Sequence, residues 1–323
     1  MKPHLRQEAL LAVSLISLLL SMHGCGKPGS APDADAYRKE IQDWQATRLA
    51  RLTRDDGWLT LCGLFWLKEG ENTLGSDSSN AIIFPPGKTP KHAGSIWLEH
   101  GIVRLETRPG AEVKFKDSVV HSMILHSDAE GVSDPTILTI RSLSFYVIKR
   151  GDQLGVRVKD KENPARLNFK GLDYFPVNPK WRVEARFEPY KPAKILAIAT
   201  MIGTTEYDTC PGALVFEVDG KEHRLEPVYE SGNEKQYFIM FSDETSGKET
   251  YAVGRQLYAE LPDARGIVIL DFNKAYNWPC VFTEFATCPI PPRQNHLPFR
   301  VEAGEKMYSG HQESAIRRLA PGP

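Results

Sequence analysis

The chain gathers its most reactive side chains into one short run. Asp271, Asn273, Tyr276 and Asn277 are followed by Cys280 and Cys288, so carboxylate, amide, phenol and thiol groups share a stretch that closes on Pro289-Ile290-Pro291-Pro292. The preceding Gly266-Ile267-Val268-Ile269-Leu270 reads as a buried strand, and a rigid strand end aims polar groups at a common point. Alternation puts Asp271 and Asn273 on one face. Lys248, Arg255, Tyr258, Asn295 and Glu305 supply the remaining candidates for a polar small-ligand pocket with Tyr276 and Asn277. Donors outnumber acceptors in this set, which favours a ligand carrying a carboxylate, phosphate or carbonyl group.

Two other uses of the same residues compete with that reading. As a hydrolase or lyase, the site would use Asp271 as base and Arg255 or Lys248 as electrostatic stabiliser. As a purely structural network, Asp271 and Asn273 would cap turns, Arg255 would pair with Asp271 or Glu305, and Tyr276 would fill the core. Cys288 as a nucleophile has His296 nearby, but no histidine is tied to it by spacing. There is no Gly-x-Ser-x-Gly elbow, His-Glu-x-x-His helix, Cys-x-x-Cys pair or dinucleotide glycine fingerprint. Ser246-Gly247-Lys248-Glu249-Thr250 imitates the tail of a phosphate loop, yet Ser242 replaces its first glycine and Glu249 its magnesium-binding hydroxyl. His121 and His126 lack a metal-ligand context, so neither metal nor cofactor is expected. A binding or accessory module is favoured over an enzyme.

The elements that must hold these residues begin behind an export signal. Lys2 and Arg6 precede an apolar run from Ala9 to Leu20, which marks residues 1–24 as a secretory signal too short to be a comfortable bilayer span. Gly24-Cys25-Gly26 resembles a bacterial lipoprotein box, although Met22 and His23 depart from its usual Leu and small residue. The resemblance implies a lipid on Cys25 and, with no Asp after it, attachment to the outer membrane facing the periplasm of a Gram-negative cell. Formal charge is −1 with both signs interspersed, so no nucleic acid partner is expected and membrane attachment is through the lipid alone. An envelope protein is the alternative partner to a small ligand. Cys62, Cys210, Cys280 and Cys288 allow three pairings in an oxidising envelope. Cys280 and Cys288 are nearest in sequence, and packing beneath the proline-rich loop accounts for them equally well.

Residues 25–34 form a Gly/Pro/Ser tether. Tyr37, Ile41, Trp44, Leu49 and Leu52 then recur at helical steps, predicting an amphipathic helix over 35–56 that straps onto the body with Lys and Arg outward. From Trp58 the pattern is mainly β. Short strands over 57–162 suit a β-sandwich, and 163–312 reads as a second antiparallel β-barrel or sandwich before a tail, 313–323. Expected C-terminal strands include 181–187, 194–199, 213–218, 236–241, 256–260, 266–272 and 299–302, with Asp219-Gly220 as a hairpin turn.

Two family resemblances add to this. Leu67 to Phe84, with Glu69-Gly70-Glu71-Asn72 and Leu74-Gly75-Ser76, and His92-Ala93-Gly94-Ser95-Ile96 resemble a forkhead-associated domain. That implies the sandwich fold; Ser76 stands where the family places its phosphothreonine-binding Arg, so phosphopeptide binding is not carried over. From Tyr37 to Tyr308 the chain resembles the bacterial and archaeal family of domain of unknown function 1684. The resemblance rests on Gly63-Leu64-Phe65-Trp66-Leu67, Gly171-Leu172-Asp173-Tyr174-Phe175-Pro176, the Asp271–Asn277 run, Pro279-Cys280, Cys288-Pro289 and Ala303-Gly304-Glu305-Lys306. It implies an exported protein without an assigned activity.

Overall fold

The computed structural model describes residues 34–129, 134–230 and 233–310. The signal segment, Cys25, nearly all of the tether and the 313–323 tail lie outside the described residues. Helix α1 (Ala34–Thr53) buries Tyr37, Ile41 and Leu52 against the body. Two details differ from the expected stripe: Leu49 faces out at 39% exposure, and Arg48 turns inward to a buried carboxylate. A buried anion needs a hydrogen-bonded cation more than the seam needs another leucine. The chain then turns at Gly57, where a β-carbon would lie 2.5 Å from the Leu52 carbonyl oxygen.

The first β unit comprises β1 (Leu61–Trp66), β2 (Gly70–Gly75), β3 (Ile82–Ile83), β4 (Gly94–Glu99), β5 (Ile102–Thr107), β6 (Lys114–Phe115), β7 (Ser118–Val119), β8 (Ser122–Leu125), β9 (Leu138–Ile140), β10 (Leu143–Arg150) and β11 (Gln153–Asp160). One sheet runs β1-β11-β10-β9-β6-β7 and the other β3-β2-β4-β5-β8. Period-two burial along β10 sends Leu143, Phe145 and Val147 inward. They meet Leu74, Phe84, Ile96 and Leu105 of the facing sheet. Each such side chain contributes about 1.5–3 kcal/mol by leaving water.

A short helix, α2 (Pro164–Leu167), leads to the second unit. This unit holds β12 (Arg182–Ala199), β13 (Thr205–Val218), β14 (Lys221–Leu225), β15 (Val228–Glu230), β16 (Asn233–Asp243), β17 (Arg255–Glu260), β18 (Ile267–Asp271) and β19 (His296–Leu297). One sheet is β14-β13-β12-β18; the other is β15-β16-β17, with β19 alongside β16. The fold is mainly β, with an N-terminal helix and antiparallel sheets. Asp219 and Gly220 turn β13 into β14 with φ of 51° and 73°, the two positive values a tight hairpin requires.

The expected strands 181–187 and 194–199 are one strand, β12, whose register against β13 shifts between Pro189 and Lys194. The expected strand 299–302 does not form. Its backbone groups bond elsewhere: Phe299 O accepts from Glu244 N, Val301 N donates to Asp243 Oδ1 at 3.3 Å, and Val301 O accepts from Arg255 at 2.8 Å.

Candidate functional site

β18 delivers Asp271 to the edge of the second unit, where it caps the 3-10 turn Phe272–Lys274 by accepting from Asn273 N. Helix α1 lies over this end. Tyr37 donates its hydroxyl to Asp271 Oδ1 at 2.7 Å, and Asn273 Nδ2 donates back to that hydroxyl at 2.9 Å. Asn273 also clamps Asn178, giving Nδ2 to its carbonyl at 2.9 Å and accepting its N–H on Oδ1 at 3.1 Å. Burial pushes the Asp271 carboxyl above its ordinary range, against the hydrogen bond from Tyr37 and the charge of Lys274. Burial raises the Tyr37 phenol, and the Asp271 charge raises it further.

Glu305 forms the second half of this clasp. Gly304 adopts φ 75°, and a β-carbon there would lie 2.3 Å from the Ala275 carbonyl oxygen, so only glycine lets the chain pass this close. Glu305 N then bonds Ala275 O at 2.8 Å, and its carboxylate is fully enclosed. Arg48 Nε donates to Oε1 at 2.9 Å and Asn277 N to Oε2 at 2.8 Å. The Arg48 guanidinium lies 4.6 Å from the Tyr276 ring centroid, and burial pushes the Tyr276 phenol up to about 12. Tyr174 bridges to Glu305 along the backbone. Two acceptors in this layer, Asp271 Oδ2 and Asn277 Oδ1, are buried without a hydrogen bond.

Asp271, Asn273, Tyr276, Asn277 and Glu305 therefore converge, but beneath the protein's own helix. Of the other four candidates, Tyr258 adjoins Tyr276 and Arg255 reaches the Glu305 backbone carbonyl at 3.4 Å, while Lys248 and Asn295 lie apart from the group. Arg255 is fully buried and pairs with Asp243 at 2.8 Å, while giving hydrogen bonds to the carbonyls of Val301 and Ala303. Burial lowers its pKa and Asp243 opposes that. Arg255 thus meets neither Asp271 nor an open pocket. Lys248 lies on the surface, 3.7 Å from Glu244. Tyr258 donates to Glu230 at 2.7 Å. Asn295 is a backbone clamp, accepting from Glu226 N at 2.8 Å and donating to Glu226 O and Met240 O at 2.9 Å. Cys280 and Cys288 are joined by a disulfide, whereas Cys62 and Cys210 are free. Burial holds the Cys62 thiol up at about 12 and Cys210 at about 11, far from a reactive thiolate.

An open cleft lies on another face. It has a volume near 480 Å³, with Met201, Ile290 and Pro291 as apolar wall and Ser242, Arg293 and His296 as polar groups. Ser242 and His296 are direct partners across the parallel pairing of β16 with β19. Sequence reasoning passed over this group because Ser242 and His296 are 54 positions apart and match no spacing motif. Asp243, Tyr37 and Arg48 were missed for the same reason; a helix rich in charged residues gives no sign of which one turns inward. Among the described residues no group of three or more His, Cys, Asp or Glu side chains is arranged to hold a metal.

The architecture is that of a mainly β body in two units, the second of which is clasped by an N-terminal helix. Residues 167–306 match the family described as protein of unknown function (DUF1684), and the chain belongs to that family. The matched span contains the Asp271 run, the disulfide and Glu305, while Tyr37 and Arg48 lie outside it. The chain is also similar to the solution NMR structure of an uncharacterized protein from gene locus rrnAC0354 of Haloarcula marismortui. The two are 32% identical over 45% of this chain and 81% of that one, with a TM-score of 0.37. No curated protein matches the chain.

Proposed function

We propose that this is an exported lipoprotein, anchored through Cys25 to the outer membrane and facing the periplasm, that works as a binding or accessory module. The ligand is a small anionic or carbonyl-bearing molecule, and the cleft beside Arg293 and His296 is where it binds. One observation carries this reading: the cleft is open and places a guanidinium, an imidazole and a hydroxyl around an apolar wall. Such a surface orients a small ligand by a few polar groups and holds its apolar part by contact. The Asp271 group is disfavoured as a pocket because Tyr37 and Arg48 already occupy its open side. Acid–base chemistry by Asp271 with Arg255 or Lys248 is disfavoured because the three have separate partners.

The test is a titration of the full-length chain in detergent with butyrate, followed by NMR of the imidazole resonances. Saturable shifts of His296, lost in Arg293→Ala, support the reading; unshifted resonances at tens of millimolar butyrate would sink it. Metabolic labelling with a radioactive fatty acid, abolished by Cys25→Ser, tests the anchor.

A further inference from the structure

We propose that the cleft is also catalytic, with Ser242 as the nucleophile of an acyl-transfer site that hydrolyses esters of small apolar acids; this rests on the reading of the cleft as a ligand site. Ser242 Oγ lies 3.0 Å from His296 Nδ1, and His296 Nε2 lies 3.4 Å from Glu244 Oε1. Nucleophile, base and carboxylate thus stand in the sequence that acyl-transfer enzymes use, with the roles of the two ring nitrogens exchanged. The carboxylate decides the tautomer. With the ring proton favoured on Nε2 by the nearby Glu244 charge, the neutral ring leaves Nδ1 as an acceptor for the Ser242 proton. Lys248 approaches Glu244 through the other oxygen, Oε2, at 3.7 Å, leaving Oε1 to the imidazole.

The supports of this trio are stiffer than its exposed position implies. Ser242 is followed by Asp243, which is locked to the fully buried Arg255. His296 follows Asn295, whose side chain holds three backbone groups. Both catalytic side chains therefore project from backbone that the core fixes, and both line the same cleft as Arg293. The Arg293 guanidinium makes no ion pair or hydrogen bond among the described residues, so it is free to face charge developing on a substrate oxygen.

The reaction balances without any further reagent but water. Ser242 Oγ bonds to the ester carbonyl carbon as its proton passes to His296 Nδ1. The tetrahedral adduct expels the alcohol, which takes that proton as its C–O bond breaks. Water then attacks the acyl-serine, gives a proton to His296, and Ser242 leaves with that proton as the carboxylic acid forms. The apolar wall of Met201, Ile290 and Pro291 suits a short acyl chain.

The experiment treats the full-length chain with a fluorophosphonate and locates the adduct by peptide mass mapping, alongside p-nitrophenyl butyrate turnover. The expected result is an adduct on Ser242, absent from Ser242→Ala, and a loss of about 100-fold or more in turnover in His296→Gln. Glu244→Gln, which acts through His296, lowers kcat for p-nitrophenyl butyrate while leaving KM unchanged, as loss of a group that orients the imidazole requires. An adduct on another residue, or turnover unchanged in Ser242→Ala, overturns the proposal. Wild-type protein that binds butyrate yet takes no adduct defeats the catalytic inference and leaves the binding reading standing. Protein that does neither defeats both.

Discussion

Arg48 Nε and Glu305 Oε1 meet at 2.9 Å across 257 positions of sequence, joining the first helix to the segment that follows Gly304. Glu305 is fully enclosed, and the Arg48 side chain is 13% exposed. Removing one partner leaves the other buried and uncompensated. Arg48→Ala or Glu305→Ala should each cost about 3–5 kcal/mol, and the double variant Arg48→Ala/Glu305→Ala clearly less than the sum. Urea denaturation of the four proteins of the cycle measures both; strictly additive losses would mean that the pair is not coupled.

Tyr37→Phe removes one hydroxyl from the same seam. Asp271 loses its 2.7 Å donor, and a buried acceptor left short of a partner costs about 1–3 kcal/mol. The loss should fall on the helix, so amide exchange within Ala34–Thr53 accelerates more than exchange in β10 or β11. Equal acceleration everywhere would show that the helix does not loosen separately.

The Asp271 carboxyl is raised in the folded protein, chiefly by burial, above its ordinary 3.8. The folded state therefore holds a proton at pH values where the unfolded state has released it. That stabilising contribution is complete below the unfolded pKa and disappears as pH climbs through the folded one. Compared with Asp271→Asn, the wild-type protein should lose stability as pH rises from the unfolded value toward neutrality. Melts of both proteins across that range decide it: a difference that is flat with pH, or that moves the other way, refutes the assignment.

Arg255 and Lys248 should respond oppositely to truncation. Arg255→Ala strands Asp243 in the interior and should cost about 3–5 kcal/mol, whereas Lys248→Ala touches only a solvent-exposed pair and should leave the unfolding midpoint unchanged. A mild effect at Arg255 would contradict the fully buried ion pair.

The Cys280–Cys288 bridge closes a loop of sequence separation 8. Chain-entropy reasoning for so short a loop gives about 2–3 kcal/mol. Cys280→Ala/Cys288→Ala should lower stability by that amount, and a reductant should no longer shift its midpoint. A midpoint equal to the oxidised wild type would mean that the bridge adds nothing.

What the sequence determined by itself is local. Alternation marks β10 and most of the C-terminal strands, and Asp219-Gly220 marks its hairpin, because side-chain direction and backbone sterics are set within a few residues. The strap of α1 was legible from the spacing of Tyr37, Ile41 and Leu52. The polar run from Asp271 to Asn277 was legible as a place where something must satisfy buried groups. What satisfies them was not. Only the tertiary structure decided that Tyr37 and Arg48 close the Asp271 group, that Arg255 belongs to Asp243, and that 299–302 gives its backbone to side chains instead of a sheet. It alone brought Ser242 and His296 together on one cleft, with Glu244 beside the imidazole. The physical reason is common to all of these: partner choice for a charge or a hydrogen bond depends on which groups are buried together, and burial is a property of packing between elements distant in sequence.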